Sequence, residues 1–451
     1  MNSYDEYLAN KLHQSPRKGV QFSGIDKTLF SWQRDLVARA LDRGRFALFT
    51  DTGTGKTLMQ LEWARNIPGR VLILAPLAVA EQTVREGAKL GISPKYLRED
   101  DGKTRLVVAN YEMLSHFDAS LFKGIVLDES SILKSFTGRI RTQIIETFQD
   151  TPYRIACTAT PAPNDHMELG NHAEFLGEKS RTEMLAEYFV HDGGSTSSWR
   201  IKGHAQEIFW RWVCSWAAFM GKPSDLGYSD DEYQLPELRM HEHVIPVDHH
   251  AAQKAGHLFA FQARTLNEQR AVRRGTAEER VNMAVELANG HGPAIVWCEL
   301  NTESAALAKA IPDSIEVIGS DSPEKKHESL TKFSDGEYRV MVTKPKIAGF
   351  GLNWQHCNRV VFVGASHSFE QTYQAIRRCW RFGQTKPVDV HIIRAETEDG
   401  VVSNYKRKED QFREMRRQMV EHTRHSLEGA RWVEYAPDEP MILPDWLVSQ
   451  S

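Results

Sequence analysis

Short apolar, β-branched runs recur along the chain, each followed by a polar or helix-patterned stretch. In the first half they are FALFT (46–50), RVLILA (70–75), RLVVAN (105–110), GIVLDE (124–129) and RIACTAT (154–160). In the second half they are AIVWC (294–298), IEVIG (315–319), YRVMVTK (338–344), RVVFVG (359–364) and VDVHII (388–393). Continuous apolar strands separated by helices predict parallel sheets covered on both faces. Two series of five predict two tandem α/β lobes, and no repeat or low-complexity tract accompanies them.

Residues 177–238 break the rhythm. They carry DGGSTSS and a helical pattern with Trp199, Trp210, Trp212 and Trp216, and they end at GKPSDLGYSDDEYQLPEL. This predicts a helical connector with a small core of its own, the tryptophans serving either that core or base stacking. The expected organisation is a first lobe over 1–176, the connector over 177–238, a second lobe over 239–398 and a C-terminal helix and tail over 399–451. The tail begins VVSNYKRKEDQFREMRRQMVEHTRHS, a helix-compatible stretch with basic clusters at 406–408 and 413–417. It either braces the lobes as a solvated helix or contacts nucleic acid or a protein partner. The closing APDEPMILPDWLVSQS reads as a docked strap or a partner-binding peptide.

Composition narrows the function classes. A chain of 451 residues exceeds one comfortable core, which agrees with two lobes. No apolar run reaches the length of a membrane span, and the polar start MNSYDEYLANKLHQSPRKG does not read as a signal peptide, so a cytoplasmic, non-membrane, monomeric protein is expected. The five cysteines form no CxxC pair and predict free thiols in a reducing compartment. His241 with His243, and His249 with His250, lack cysteine or acidic partners at ligand spacing, so no metal site is expected there. A net charge of −4 carries no global signature of a nucleic-acid binder; such binding would need a local patch.

The clearest chemistry follows FALFT. DTGTGKT, Asp51 to Thr57, leads into the helix-forming LMQLEWARN. A strand turning through glycines into a helix N-terminus offers backbone N–H groups and a positive dipole end to phosphates. Gly53, Thr54 and Gly55 would form the cradle, Lys56 would reach the β and γ phosphates of ATP, and the Thr57 hydroxyl would ligate Mg²⁺. The strict pattern has glycine where Thr50 stands. GIVLDESS then brings Asp128 and Glu129 to a strand's carboxyl end, the edge at which doubly wound sheets bind ligands. Asp128 would hold the metal through water, and Glu129 would deprotonate the attacking water. Upstream, Gln33 in LFSWQRDLVARAL offers an amide that matches the N6 and N7 edge of adenine. Near the end, QAIRRCWRFGQ (374–384) places Arg378 and Arg381 three apart in a segment whose spacing predicts a helix.

In order, WQ (32–33), DTGTGKT, LAPLAV (74–79), VVANYE (107–112), LDESS, CTATPAPN (157–164), AIVWC, KIAGFGLN (346–353) and QAIRRCWRFGQ resemble the motifs of superfamily-two helicase-type ATPases, and within them the Swi/Snf-type DNA translocases. They cover most of residues 29–384, and the closing segment resembles QAxxRxxRxGQ. The lack of long insertions resembles compact bacterial or phage-borne members. The resemblance implies two RecA-like lobes that close over ATP, with Arg378 and Arg381 reaching the γ-phosphate. It assigns coupling to Ser131, Thr158, Thr160, Gln374 and Gln384, and places Gly349 and Gly351 near the nucleotide. It assigns contacts to the DNA backbone to Pro76, Leu77, Asn110 and Tyr111 in lobe one, and to Trp297, Asn301, Thr343, Lys344 and Lys346 in lobe two. Ser131 stands where the family's DEAH box has histidine. The implied activity is an ATP-dependent motor on duplex or branched DNA, with RNA less favoured. A strand-separating helicase and an ATP-switched module that recruits a partner are the alternatives.

Overall fold

The computed structural model describes residues 19–135, 138–191, 199–246, 275–289, 292–348 and 353–428. DGGSTSS (192–198), His249 and His250, Gly349 and Gly351, and the closing strap lie outside them. All ten apolar runs form strands. In lobe one these are β1 (Arg45–Thr50), β2 (Val71–Ala75), β4 (Leu106–Asn110), β5 (Gly124–Asp128) and β6 (Tyr153–Cys157), with a short β3 (Lys95–Tyr96) between β2 and β4. After a hairpin of β7 (Phe189–His191) and β8 (Trp199–Ile201) comes β9 (Ala217–Met220). The first sheet is seven-stranded in the order β3-β4-β2-β5-β6-β1-β9. The second holds β10 (Leu238–Ile245), β11 (Ala294–Trp297), β12 (Ser314–Val317), β13 (Val340–Thr343), β14 (Arg359–Val363) and β15 (Val388–Ala395), in the order β10-β15-β14-β11-β13-β12. Every pairing in both sheets is parallel.

Burial on both faces explains the continuous apolar runs, because successive side chains on a strand point to opposite sides. Ala47 and Phe49 enter one core, while Phe46 and Leu48 enter the core on the opposite face. Ile295 with Trp297, and Ala294 with Val296, divide the second lobe in the same way. All strands being parallel, the ends of β1, β2, β4, β5 and β6 gather on one edge, and the site forms there.

The connector differs from the expectation of a separate small core. Its helix Gln206–Trp216 buries Phe209, Trp210, Trp212 and Trp216 in the same cluster as Phe49 and Leu74. Phe49 and Trp216 meet edge to face at 6.3 Å. β9 then pairs with β1, Ala47 opposite Ala217, and so completes the first sheet. The tryptophans therefore pack in lobe one's interior, not on stacked bases.

The C-terminal helix Asp399–Glu428 braces both lobes. Phe412, Met415 and Met419 are buried in lobe one's cluster, and Phe412 also stands 5.2 Å from Phe369 of lobe two. Lobe-to-lobe contact continues where Lys134 pairs with the buried Glu370. On the outer strand of sheet two, His241 Nε2 meets Asp389 Oδ1 and His243 Nε2 meets His391 Nδ1, each at 3.0 Å. The five cysteines are free and buried. Among the described residues no helix is long and apolar enough to cross a membrane.

Candidate active site between the lobes

β1 ends at Thr50, and the chain turns into the helix Lys56–Asn66. The turn depends on its glycines: Gly53 and Gly55 have φ of 82° and 78°, values that strain side-chain-bearing residues. Space is closed as well. A Cβ at Gly55 would lie 2.4 Å from Gln33 Nε2, and one at Gly53 would lie 3.0 Å from the Phe382 amide nitrogen. Thr54 Oγ1 donates to the Asp51 carbonyl at 2.6 Å. Lys56 Nζ folds back to donate to the carbonyls of Thr50 and Asp51 at 2.8 and 3.0 Å. Burial lowers its pKa, against the opposing pull of Glu129, Asp51 and Asp128.

Gln33 lies against the glycine turn. Its Oε1 accepts from the Phe30 amide and its Nε2 donates to the Thr54 carbonyl, both at 2.9 Å. Both ends of the amide thus brace the glycine turn.

β5 carries Asp128 and Glu129 to the same edge, and Glu129 takes a left-handed φ of 58°. Asp128 Oδ1 accepts from Gln60 Nε2 at 2.8 Å. Glu129 Oε1 accepts from Thr158 Oγ1 at 2.6 Å and, at 3.4 Å, from Ser131 Oγ and from Gln374 Nε2 of the second lobe. Thr160 receives Gln374 Nε2 and donates to Glu370 Oε1, both at 3.4 Å. Burial raises the pKa of both acids, opposed at Asp128 by Gln60 and Lys56 and at Glu129 by Lys56 and Thr158.

The arginine segment is not the continuous helix its spacing predicts. The helix Phe369–Ile376 stops, Arg377 has φ −70° and ψ 0°, and tight turns lead to Gly383 at φ 90°. Arg378 and Arg381 nevertheless reach one cleft of about 90 Å³ with Gly55, Lys56, Thr57, Asp128 and Glu129. Arg378 donates to the Gln374 carbonyl and to Gln374 Oε1 at 3.0 and 3.1 Å. Burial lowers its pKa to about 10. Burial, then the neighbouring Arg378 and Arg377, lower that of Arg381 to about 9. Gln384 Nε2 donates to the carbonyls of Gln355 and Cys357, both at 2.9 Å, and so shapes the turn within lobe two.

A magnesium ion suits this donor set. The Thr57 hydroxyl and the Asp128 carboxylate line the same cleft, and Mg²⁺ takes one or two protein oxygens with phosphate oxygens and water completing its shell.

The expected nucleic-acid contacts divide. Leu77 is 47% exposed at the start of the helix that Pro76 caps. Lys346 is exposed, and Lys344 Nζ donates to Asn301 Oδ1 at 2.6 Å on the surface. Four others are buried. Asn110 accepts from Tyr96 and donates to Glu112. The Tyr111 hydroxyl donates to the Asp128 carbonyl at 2.7 Å. Trp297 packs on Trp354 and Phe362, and Thr343 donates to the Val317 carbonyl. The sequence reading missed Asp51, Glu370, Tyr373 and Arg377, all of which bridge the lobes. The acid opening DTGTGKT and the extra arginine of RRCWR were the only traces, and nothing local to either pairs them.

Residues 279–383 match the helicase conserved C-terminal domain. A segment is 33% identical over 87 residues to the bifunctional helicase and thymine dioxygenase JBP2 of Leishmania braziliensis, 19% of this chain and 8% of that protein. A segment is likewise 30% identical over 107 residues to the TATA-binding protein-associated factor mot1 of Schizosaccharomyces pombe, 22% of this chain and 6% of that one. The chain thus spans under a tenth of these relatives' length. The solved Swi2/Snf2 ATPase core of Sulfolobus solfataricus in complex with double-stranded DNA aligns with TM-score 0.41 and 18% identity, covering 91% of this chain and 97% of that one. The matched helicase C-terminal segment contains Arg378 and Arg381, so lobe two's share of the cleft lies within it.

Proposed function

We propose that the chain is a nucleic-acid-stimulated ATPase that translocates on, or remodels, duplex or branched DNA without reading its sequence. The observation that carries this is the single cleft where Lys56, Asp128 and Glu129 of lobe one face Arg378 and Arg381 of lobe two. Lys56 and the amides at the head of its helix bind the phosphates of ATP. Glu129, held by Thr158, orients and deprotonates the attacking water. Arg378 and Arg381 neutralise charge spreading over the transferring phosphoryl group, which they reach only with the lobes together. Magnesium held by Thr57 and Asp128 would neutralise charge on the β and γ phosphates.

Gln374 ties hydrolysis to movement, because one amide touches both Glu129 and Thr160 across the lobe boundary. Lys344, Lys346 and backbone amides at the strand ends bind phosphates sequence-independently, so binding weakens steeply with salt. The test is the ATPase rate at one salt concentration with no nucleic acid, single-stranded DNA, blunt duplex, forked duplex and RNA. Strong stimulation by blunt duplex supports the translocase. Stimulation by forks or single strands alone points to strand separation, and none at all to a switched module.

A further inference from the structure

Arg377 and Arg378 are neighbours in sequence but face different targets. Arg378 lines the nucleotide cleft, whereas Arg377 crosses to the glycine turn of lobe one. Its Nη2 lies 2.9 Å from Asp51 Oδ2 and 2.9 Å from the Thr52 carbonyl, and its Nε donates to Thr52 Oγ1 at 2.6 Å. Asp51 Oδ1 accepts from the Tyr373 hydroxyl at 2.6 Å, so lobe two engages both oxygens of the carboxylate. Arg377 is 1% exposed, and its guanidinium lies 4.7 Å from the centre of the Trp380 ring. Burial opposes the charge on Asp51, but Arg377, Arg416 and the Tyr373 bond outweigh it and hold the carboxyl below its ordinary pKa.

Such a pair contributes little net stability, since desolvating both partners offsets their attraction. What it supplies is register. The guanidinium fork fits one arrangement of carboxylate, hydroxyl and carbonyl, and that arrangement exists only with the lobes in contact. Asp51 and Thr52 immediately precede Gly53 in the phosphate-binding turn. Arg377 immediately precedes Arg378, and consecutive Cα atoms are a fixed ~3.8 Å apart. Anchoring the first pair to Arg377 therefore fixes where the reactive groups on either side stand.

We propose that Arg377 is a positioning residue: by latching onto Asp51 and Thr52, it sets Arg378 and Arg381 against the phosphate-binding turn, so that the lobes reach their reactive register through a protein–protein contact as well as through the nucleotide. This rests on the ATPase reading above. ATP then completes a closure that the chain has already begun. Lys56 still holds the phosphates when the latch is broken, so turnover suffers more than ATP binding.

The test measures ATP turnover for the wild-type chain, Arg377→Ala, Arg377→Lys, Asp51→Asn, the double variant Asp51→Asn/Arg377→Gln, and Arg381→Ala. Energy transfer between dyes on Lys103→Cys and Glu337→Cys, exposed residues of the two lobes, reports lobe separation without nucleotide. Arg377→Ala should lower kcat by about a hundredfold, as a small misplacement of reacting groups does, and leave KM within about threefold. Arg377→Lys should recover part of the loss, and the dyes should move apart in Arg377→Ala. The double variant, which leaves no buried charge unpaired, should be no worse than either single one. Turnover of Arg377→Ala within about twofold of wild type while Arg381→Ala is inactive would overturn the latch, as would losses that multiply in the double variant. A wild-type chain that hydrolyses no ATP would instead sink the ATPase reading, and the dye separation alone would then decide on the latch.

Discussion

The Thr158 hydroxyl donates to Glu129 Oε1 across 2.6 Å, so the end of one strand holds the acid that ends another. Burial raises the Glu129 pKa, and the Thr158 bond works against that rise. A general base acts only when ionised, so turnover falls as pH drops through its pKa. Thr158→Val removes the lowering contact and should move the acid limb of the kcat/KM profile to higher pH. An unchanged limb would place the base elsewhere.

Glu129→Gln keeps the shape of the side chain and removes the base. Turnover should stop while ATP binding, read by nucleotide fluorescence, persists. Normal turnover would remove Glu129 from the chemistry.

Lys56 donates to the carbonyls of Thr50 and Asp51 in its own turn. Lys56→Ala should abolish ATP binding, measured by calorimetry, while the fold survives. Arg381→Ala should leave binding nearly intact and lower kcat by about a hundredfold or more, the loss typical of transition-state charge stabilisation. A loss confined to DNA binding would remove Arg381 from the chemistry.

The ten strands were legible because each is a continuous apolar run, the pattern that burial on two faces demands. β9 and β10 escaped for opposite reasons. Ala217–Met220 follows directly on a helix and lacks a β-branched residue, while Leu238–Ile245 alternates charged residues and histidine along the half-exposed outer strand of its sheet. The glycine turn and the acid pair could be picked out because each is a run of a few adjacent residues. Gln33 and Tyr111 were singled out as ligand contacts, and the partners they take, the Thr54 and Asp128 carbonyls, come from folding. Arg377 and Thr52 stand 325 residues apart, and no spacing rule connects them. Trp297 illustrates the limit on side-chain direction: it ends a strand, yet strand alternation turns it into the core.

The C-terminal helix reaches the phosphate turn through Arg416, whose Nη1 is 3.9 Å from Asp51 Oδ2 and whose Nη2 is 3.6 Å from Asp225. The guanidinium occupies the space over Gly221, where a Cβ would lie 1.6 Å from Nη2. Gly221→Ala should therefore displace Arg416 from Asp51 and Asp225, at a cost of about 1–3 kcal/mol in stability, because the site is buried and an ion-pair network is broken. Its ATPase rate should fall in the same direction as that of Arg416→Ala. A full rate in both variants would leave the helix a passive brace.

His172 makes a prediction about acid stability. It is fully buried, meets Ser130 Oγ through Nε2 at 3.1 Å and packs edge to face on Phe49 at 5.1 Å. Burial lowers its pKa from 6.5 to about 4, with weaker opposition from backbone bonds to Glu168 and Ser130. A base whose pKa falls on folding binds protons more readily when unfolded, so the unfolded state gains as pH drops below 6.5, and the gain levels off near 4. Across that window the imidazole should remove about 3 kcal/mol of stability. His172→Gln keeps a hydrogen-bonding side chain that does not titrate, so its urea midpoint should fall less than that of wild type over the same range. Parallel curves for the two proteins would show that other groups govern unfolding in acid.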